Sequence, residues 1–361
     1  MELKHLEDFK LESIPDGLPL EHGRDVPSRS DATGKYFLSP FRDLVSKLNG
    51  YIQVPRLTCI ISDRSFAHVV AKELGILTNE NFMTNGELEA VVDWIPGMPN
   101  IRLRDSPSFI RTTNLNDPML QNCTVGCPEA LKSSALIINT FEELEKSVLD
   151  AIRERTHCPI YTIGPIASFS QFESKDCLKS VSMSLGKEED ACVEWLNNKE
   201  TSQRPFIWDI RKDLVVGESA MLEKEFVEAT KECGLILSWC NQMKVLPHHA
   251  IGGFLTHNGW KSTLDSILNG VPMICWPFFA DPQTNCWYVC KELGIGMEIN
   301  NDVKREDVEE LVRKLMGGEK GKELQLKAKK SKVSSKIVVQ FGGSSHNNFE
   351  RLIKEVLLKK H

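Results

Sequence analysis

The residues of this chain with the clearest chemical potential lie in one run, positions 239–282, which reads WCNQMKVLPHHAIGGFLTHNGWKSTLDSILNGVPMICWPFFADP. It begins with Trp239, whose flat ring can stack on an aromatic base, a contact worth about 1–3 kcal/mol in nucleic-acid-binding proteins. The backbone of Cys240 and Gln242 can read the edge of such a base, and Asn241 between them belongs to the same predicted site. A tryptophan buried in the core is the alternative for Trp239. The run therefore opens with a candidate base-binding element.

A turn from a predicted strand into a predicted helix follows, formed by His257, Asn258, Gly259, Trp260, Lys261 and Ser262. Backbone N–H groups and the positive end of a helix make such a turn an anion site. Gly259 permits a close approach of the backbone, and the side chains of His257 and Ser262 add hydrogen-bond donors. These groups suit a diphosphate. A structural histidine is the alternative for His257, and for His248 we favour a role in bracing its loop.

Two carboxylates complete the set. Asp265 falls one helical turn after Lys261, on the face that points back towards the strand end, where a carboxylate can accept both hydroxyls of a ribose. Asp281 follows an apolar strand and a turn, and its carboxylate can accept hydrogen bonds from sugar hydroxyls. The run thus offers a group for a base, a diphosphate, a ribose and a sugar.

The whole run resembles the donor-nucleotide motif of plant secondary-product glycosyltransferases, which transfer glucose from UDP-glucose to small hydroxylated metabolites. The resemblance rests on residues at fixed spacing, namely Trp239, Gln242, His248, His257, Gly259, Trp260, Ser262, Gly270, Val271, Pro272, Trp276, Pro277 and Asp281. Residues 94–113 and 294–299 are similar to the branch that glucosylates terpenoid, iridoid and cyanohydrin acceptors. The resemblance implies an α/β fold of two Rossmann-like domains (GT-B type), an inverting reaction, UDP-glucose as co-substrate, and no cofactor or metal.

The chain departs from the family pattern within this run. The family usually has Glu where this chain has Asp265, so the carboxylate is one methylene shorter. Lys261 replaces an Asn, and it either pairs with the diphosphate or is too long for the pocket. Pro282 replaces the Gln that holds the sugar, and proline offers no side-chain hydrogen bond and no N–H. Gln283 stands one position later, so sugar recognition is predicted to be the weakest part of the site.

The predicted catalytic dyad is only half matched. In the family, a histidine in the first domain removes the acceptor proton, and an aspartate orients that histidine. Such proton transfer raises the reaction rate by about 10²–10⁴-fold. Asp63, in the run CIISD, matches the aspartate, and no histidine matches the base. His5 and His68 lie outside the motif. A strand-end aspartate without function is the alternative for Asp63.

Two internal segments of the family pattern are missing. One follows Ile76 and would line the acceptor cleft, and the other follows Glu200 and would supply the first strand of the second domain with its Gly-Ser phosphate loop. We therefore predict a chain shortened at its N-terminus and internally, with both domains incomplete. The alternative to a transferase is an inactive remnant that binds UDP or a partner without turnover. An unrelated Rossmann enzyme is disfavoured because no G-x-G-x-x-G follows a predicted strand.

Short β-branched runs alternate with helical patterns along the chain, which is typical of parallel α/β architecture. Strands are predicted at residues 58–62, 135–139, 161–163, 205–210, 235–239, 253–256 and 273–276. Helices are predicted at residues 65–74, 141–153, 187–197, 262–269, 284–293, 305–316 and, as an exposed lysine-rich helix, 320–336. A Ser-rich stretch, 166–186, is predicted to link an acceptor-binding domain, 1–165, to a UDP-sugar-binding domain with C-terminal helices, 187–361.

The composition limits which binding partners and which cellular compartment are expected for this protein. A length of 361 residues suffices for two domains, and a net charge of −6 argues against nucleic acid as a partner. The 11 cysteines show neither a disulfide rhythm nor zinc-ligand spacing, which favours reduced thiols in the cytoplasm. The charged N-terminal stretch does not resemble a signal peptide, and no stretch approaches the roughly 18 apolar residues of a membrane span. We predict a cytoplasmic monomer whose partners are a UDP-sugar and a small-molecule acceptor.

Overall fold

The computed structural model describes residues 87–112, 114, 117–169, 191–199, 205–210, 224–300 and 302–358, and residues 40, 43, 44 and 47. The chain divides into two compact units. The first unit contains the described residues from 191 to 277 and from 288 to 336. The second contains the described residues up to 169, residues 278–287 and the chain from residue 337.

The strands are two to four residues long, and the helices range from four to 19 residues. The strands are β1 (Val91–Val92), β2 (Ile101–Arg102), β3 (Leu136–Ile138), β4 (Ile160–Thr162), β5 (Phe206–Asp209), β6 (Gly234–Leu237), β7 (Phe254–Thr256), β8 (Met273–Cys275) and β9 (Gly296–Glu298). The helices are α1 (Pro118–Ala130), α2 (Glu142–Arg153), α3 (Ile166–Phe169), α4 (Ala191–Asn197), α5 (Lys224–Thr230), α6 (Gln242–Val245), α7 (Trp260–Asn269), α8 (Pro282–Trp287), α9 (Arg305–Gly317), α10 (Glu319–Ile337) and α11 (Ser344–Leu352).

The sheets of both units are parallel, apart from the antiparallel pair of β1 and β2. In the second unit β3 pairs with β4. In the first unit β5 pairs with β6, and β8 lies between β7 and β9. Parallel strands joined by helices are the architecture that the sequence predicts, and the α/β fold class is confirmed.

The core of the first unit forms where helices cover the three-stranded sheet. All three residues of β8 are buried, as its apolar sequence Met-Ile-Cys requires of a strand covered on both faces. Ile274 of β8 packs with Ile299, with Leu315 of α9 and with Leu324 of α10. A Cβ added at Gly253 would lie 2.4 Å from Leu315 Cδ2, so glycine allows α9 to approach the start of β7 closely. This packing fixes the strand ends that carry the candidate site.

The C-terminal helix of the chain packs on the sheet of the second unit. Asn348 Nδ2 of α11 donates a hydrogen bond to Thr162 Oγ1 of β4 at 2.8 Å. The hydroxyl of buried Tyr161 donates to Glu355 Oε2 at 2.7 Å. Burial and the neighbouring Glu355 carboxylate raise the pKa of Tyr161 to about 12. Residues after 337 therefore contact the N-terminal half of the chain. The domain limits 1–165 and 187–361 stay predictions.

Most strands and helices that fall on described residues lie within two residues of the predicted limits, with two informative differences. The strand predicted at 235–239 ends at Leu237, so Trp239 lies in the following loop. The helix predicted at 284–293 divides into α8 and a π-helical segment, Tyr288–Glu292. It begins two residues early because Pro282 suits the first helical position, where the backbone needs no N–H donor. The predictions for 58–62 and 65–74 lie outside the described residues.

The remaining predictions concern the lysine-rich helix, the cysteines and the membrane. Most lysines of α10 are exposed, as predicted, with Lys332 among the exceptions. The described cysteines are free thiols: Cys123, Cys158, Cys192, Cys233, Cys240, Cys275, Cys286 and Cys290. Among the helices of the described part of the chain, none combines the length and apolarity needed to cross a membrane.

Candidate functional site

Two strand-to-helix corners of the first unit carry the predicted base- and phosphate-binding residues. The half-buried Trp239 lies two residues after β6 ends, and His257 directly follows β7. The two corners are joined, because Ser262 Oγ of α7 donates a hydrogen bond to Gln242 Oε1 of α6 at 3.3 Å. Asn241 fixes the start of α6 by accepting the N–H of Met243 on its side-chain oxygen at 3.0 Å. Open α/β sheets bind ligands at the carboxyl ends of their parallel strands.

The second corner has the features of an anion site. Gly259 precedes α7 and brings no capping side chain, and the first turn of α7 contains no acidic residue. A Cβ at Gly259 would lie 2.7 Å from His257 Nε2, so glycine lets the exposed imidazole lie against the start of the helix. Buried Asn258 adopts a left-handed φ of 63°, which its short polar side chain tolerates, and its N–H donates to Thr256 Oγ1. The half-buried Trp260 then opens a helix whose positive end suits a diphosphate.

The predicted ribose ligand, Asp265, already has a cationic partner. Its side chain is only 2% exposed, and Lys261 Nζ donates to its Oδ2 at 2.7 Å. The Lys261 ammonium thus lies on the adjacent carboxylate one turn along α7. Its two predicted roles, pairing with the diphosphate or being too long for the pocket, stay predictions. The second oxygen, Oδ1, is the atom through which Asp265 can serve a ribose diol. The i, i+4 spacing was the sequence signal for this ion pair.

The N–H of Cys240, part of the backbone predicted to read the base, already has a partner, and the base-reading role stays a prediction. The N–H of Cys240 donates to Asp209 Oδ2 at 3.3 Å, so it is engaged by a carboxylate from the end of β5. Sequence reasoning missed Asp209 because only the pairing of β5 with β6 brings the two residues together. Burial, followed by the charges of Asp209 and Cys192, raises the pKa of the Cys240 thiol to about 12. Cys240 is therefore a neutral packing residue at neutral pH.

The predicted sugar-binding residues lie in the second unit, on the loop that leads into α8. Asp281 is exposed and accepts a hydrogen bond from Asn285 Nδ2 at 2.8 Å. Pro282 is the first residue of α8 and is buried. Gln283 follows it, and its Oε1 is a buried atom without a hydrogen-bond partner among the described residues. A buried amide oxygen of this kind can accept a hydroxyl from a ligand.

His248 braces its loop, as the sequence analysis favours. Its Nδ1 accepts the N–H of Ala250 at 3.2 Å, and its Nε2 lies 3.1 Å from Asn197 Oδ1 of α4. An accepting Nδ1 leaves the proton on Nε2, which therefore donates to the Asn197 oxygen. Burial, and next the charge of His249, lower the pKa of His248. The neutral ring thus ties the loop after α6 to α4.

Of the predicted catalytic residues, none falls in the described part of the chain. Asp63, and the two histidines His5 and His68 that lie outside the motif, are all in the first 86 residues. Their roles stay predictions.

Comparison with known proteins reveals relatives over nearly the whole chain. Residues 201–331 match the family described as UDP-glucoronosyl and UDP-glucosyl transferase. The 7-deoxyloganetin glucosyltransferase of Gardenia jasminoides is 43% identical over 424 aligned positions, which cover 99% of this chain and 88% of that protein. The (R)-mandelonitrile beta-glucosyltransferase of Prunus dulcis is 39% identical over 420 positions, with coverages of 99% and 87%.

Solved structures show the same fold. The structure of UDP-glucose: anthocyanidin 3-O-glucosyltransferase in complex with UDP matches with a TM-score of 0.77 at 21% identity, covering 98% of this chain and 87% of that chain. The structural match shows the GT-B fold, and the relatives show the class, a glycosyltransferase. More particularly, the chain belongs to the UDP-glucoronosyl and UDP-glucosyl transferase family.

The comparisons also settle two expectations from the sequence. Both relatives align over more positions than the 361 residues of this chain, so they contain internal segments that this chain lacks, as predicted. The alternative of an inactive remnant receives no support, because these relatives are glucosyltransferases.

Proposed function

We propose that this protein transfers glucose from UDP-glucose to a hydroxyl of a small plant metabolite, with inversion at the anomeric carbon. The observation that carries the proposal is the hydrogen bond between Ser262 and Gln242, which joins the Trp239 corner to the His257 corner. One ligand can then place its base on the first corner and its diphosphate on the second. The named activities of the relatives, on 7-deoxyloganetin and (R)-mandelonitrile, favour iridoid, terpenoid or cyanohydrin alcohols as acceptors.

Each part of UDP-glucose has a proposed partner in this chain. Trp239 stacks on uracil, beside Asn241 and Gln242. The start of α7, with His257 and Ser262, holds the diphosphate, and Oδ1 of Asp265 accepts the ribose hydroxyls. Asp281 and Gln283 accept hydroxyls of glucose. All of these are side chains or backbone groups that ordinary hydrogen bonding and stacking can use.

The chemical contribution of the second corner is to stabilise the leaving group. As the acceptor oxygen attacks the anomeric carbon, the bond to the diphosphate breaks and negative charge develops on UDP. Backbone dipoles fixed at the start of α7 stabilise that charge without reorganising during the reaction. The acceptor hydroxyl gives up its proton to a general base during the attack, and Asp63 is the proposed residue that orients that base.

We also infer that transfer needs neither a cofactor nor a metal ion. The first turn of α7 carries no carboxylate that could hold a cation beside the diphosphate. The carboxylate of Asp265, the predicted ribose ligand on this helix, is already paired with Lys261. We place the enzyme in the cytoplasm as a monomer, in keeping with its free thiols.

The test is a transfer assay with radiolabelled UDP-glucose, the full chain and a panel of iridoid, terpenoid, cyanohydrin and phenolic alcohols. We expect a β-glucoside, identified by NMR, from at least one acceptor, and equal rates with and without EDTA.

Trp239→Ala should weaken UDP binding in calorimetry by about 1–3 kcal/mol. Trp208→Ala, a tryptophan of β5 outside the two corners, is the matched control and should keep wild-type affinity. Absence of product from every acceptor, or equal affinities of the two variants, would refute the proposal.

A further inference from the structure

The loop that carries Asp281 has a constrained backbone. Ala280, the residue before it, adopts a φ of 66°, a left-handed conformation that residues with a Cβ rarely occupy. Such a conformation persists only where surrounding contacts hold it, and it often marks a functional segment. The contacts that hold Ala280 therefore bear on what the loop does.

Two hydrogen bonds with a single residue, Ser108, hold Ala280. The Ala280 N–H donates to Ser108 Oγ at 2.8 Å, and the Ser108 N–H donates to the Ala280 carbonyl at 3.0 Å. A third bond lies on the other side of the predicted sugar residues, where Thr284 Oγ1 donates to the Asp105 carbonyl at 2.7 Å. Residues 281–283 are thus anchored at both ends to one short segment, 105–108.

The anchoring segment is itself rigid. Asp105 is 3% exposed, and its two oxygens accept hydrogen bonds from Arg102 Nε and Nη2, both at 2.8 Å. The residues after Ser108 are buried in a cluster formed by Phe109, Ile110, Leu120 and Cys123. Ala280 packs against the same cluster. A bidentate ion pair and an apolar core therefore fix the position from which Ser108 acts.

We propose that Ser108 is a positioning residue for sugar recognition, which sets the loop so that Asp281 and Gln283 meet the sugar of the donor. This inference rests on the proposed function. It explains how a loop with Pro282 in place of the family's sugar-holding Gln keeps a defined geometry. The amide oxygen of Gln283 is buried and has no partner among the described residues, as expected of an acceptor reserved for a ligand.

The test compares three variants of the full chain: Ser108→Ala, Ser108→Thr and Ser106→Ala. Ser108→Ala removes the acceptor of the Ala280 N–H, whereas Ser108→Thr keeps a hydroxyl. Ser106→Ala is the matched control, because its buried Oγ has no partner among the described residues. We expect Ser108→Ala to lower kcat/KM for UDP-glucose about tenfold and to reduce the preference for UDP-glucose over UDP-galactose, since small misplacements of reacting groups are costly. UDP affinity should stay within about twofold, and the other two variants should behave like the wild type.

Hydrogen exchange of residues 278–287 supplies a readout that does not depend on activity. We expect Ser108→Ala alone to speed exchange at Ala280. An active wild type with unchanged donor preference and unchanged exchange in Ser108→Ala would overturn the positioning role. Equal losses of UDP and UDP-glucose affinity would also overturn it, because they would indicate a general structural effect. A wild type without transfer activity would instead count against the proposed function, and the exchange data would still decide whether Ser108 holds the loop.

Discussion

At the scale of single residues, the ion pair of Lys261 and Asp265 distinguishes this site from the family pattern. Asparagine is expected where Lys261 stands, and the structure shows why a lysine is tolerated there. Its side chain is 65% exposed, and the ammonium returns to the helix to neutralise a carboxylate that is only 2% exposed. Without a partner, a buried carboxylate is costly. Lys261 therefore neutralises Asp265, the predicted ribose ligand.

This arrangement predicts a loss of stability in Lys261→Asn. The free energy of unfolding should fall by about 1 kcal/mol. This is the contribution of a charged hydrogen bond, reduced because the lysine is exposed to solvent. Urea denaturation measures this change. Lys314→Asn is the matched control, because Lys314 makes an i, i+4 ion pair with Glu310 in which both side chains are exposed. Its expected effect is below about 0.5 kcal/mol. Equal losses in the two variants would contradict the role assigned to Lys261.

At the scale of elements, α7 depends on a residue of the lysine-rich helix α10. Lys332 Nζ donates to the carbonyl of Asn269, the last residue of α7, at 3.2 Å. The lysine stem also packs on Gly270, where an added Cβ would lie 3.0 Å from Lys332 Cδ. Burial lowers the pKa of Lys332, and the charge of Lys336 lowers it further. The run of lysines is thus not a uniformly solvated face, because one member caps the helix that begins at the candidate anion site.

We expect Lys332→Ala to lower the free energy of unfolding by about 1 kcal/mol, from the lost interaction with the helix C-terminus and the lost packing of the stem. Lys332→Met keeps the stem and removes the charge, so its loss should be smaller. Lys330→Ala, at an exposed position of the same helix, serves as the control and should be neutral. Thermal unfolding followed by circular dichroism measures all three. A neutral Lys332→Ala would show that α7 does not need this cap.

At the scale of the whole molecule, the first unit has two sheets in which, among the described residues, one edge of β5 and one edge of β7 have no strand partner. Within the described residues, β5 pairs only with β6, and β7 pairs only with β8. The relatives contain internal segments that this chain lacks, and the sequence analysis places one of them, a strand, just before β5. Apolar side chains near these edges are exposed, with Trp208 of β5 at 43% and Leu255 of β7 at 48%. Unpaired, apolar strand edges promote association with other chains.

This view predicts that Trp208→Lys improves the solubility of the protein. The side chain makes an edge-to-face contact with Phe226, at a centroid distance of 5.9 Å, on an exposed surface. A lysine there should oppose pairing at the edge of β5. Light scattering during heating should show aggregation several degrees later than in the wild type, at unchanged UDP affinity. Lys199→Met is the control, because Lys199 follows the C-terminus of α4 and belongs to no strand. It should not delay aggregation.

The sequence by itself determined the fold class and the family, and it predicted the residue types of the donor site. The strands β7 and β8 and the helix α9 lie within one residue of their predicted limits, because apolar periodicity and glycine or proline boundaries are local signals. The spacing of Trp239, His257 and Asp265 was also readable, since it is a property of the chain itself.

Only the tertiary structure decided which groups these residues meet. The bond of Asp209 to the Cys240 amide depends on the register of β5 against β6. The clamp of Ser108 on Ala280 joins residues 172 positions apart, and the cap of Lys332 on α7 joins residues 63 apart. Sequence periodicity reports on neighbours along a strand or a helix, whereas contacts of this range follow from how the elements pack. The candidate ligands were therefore legible in the chain, and the groups that position them became visible only in the folded molecule.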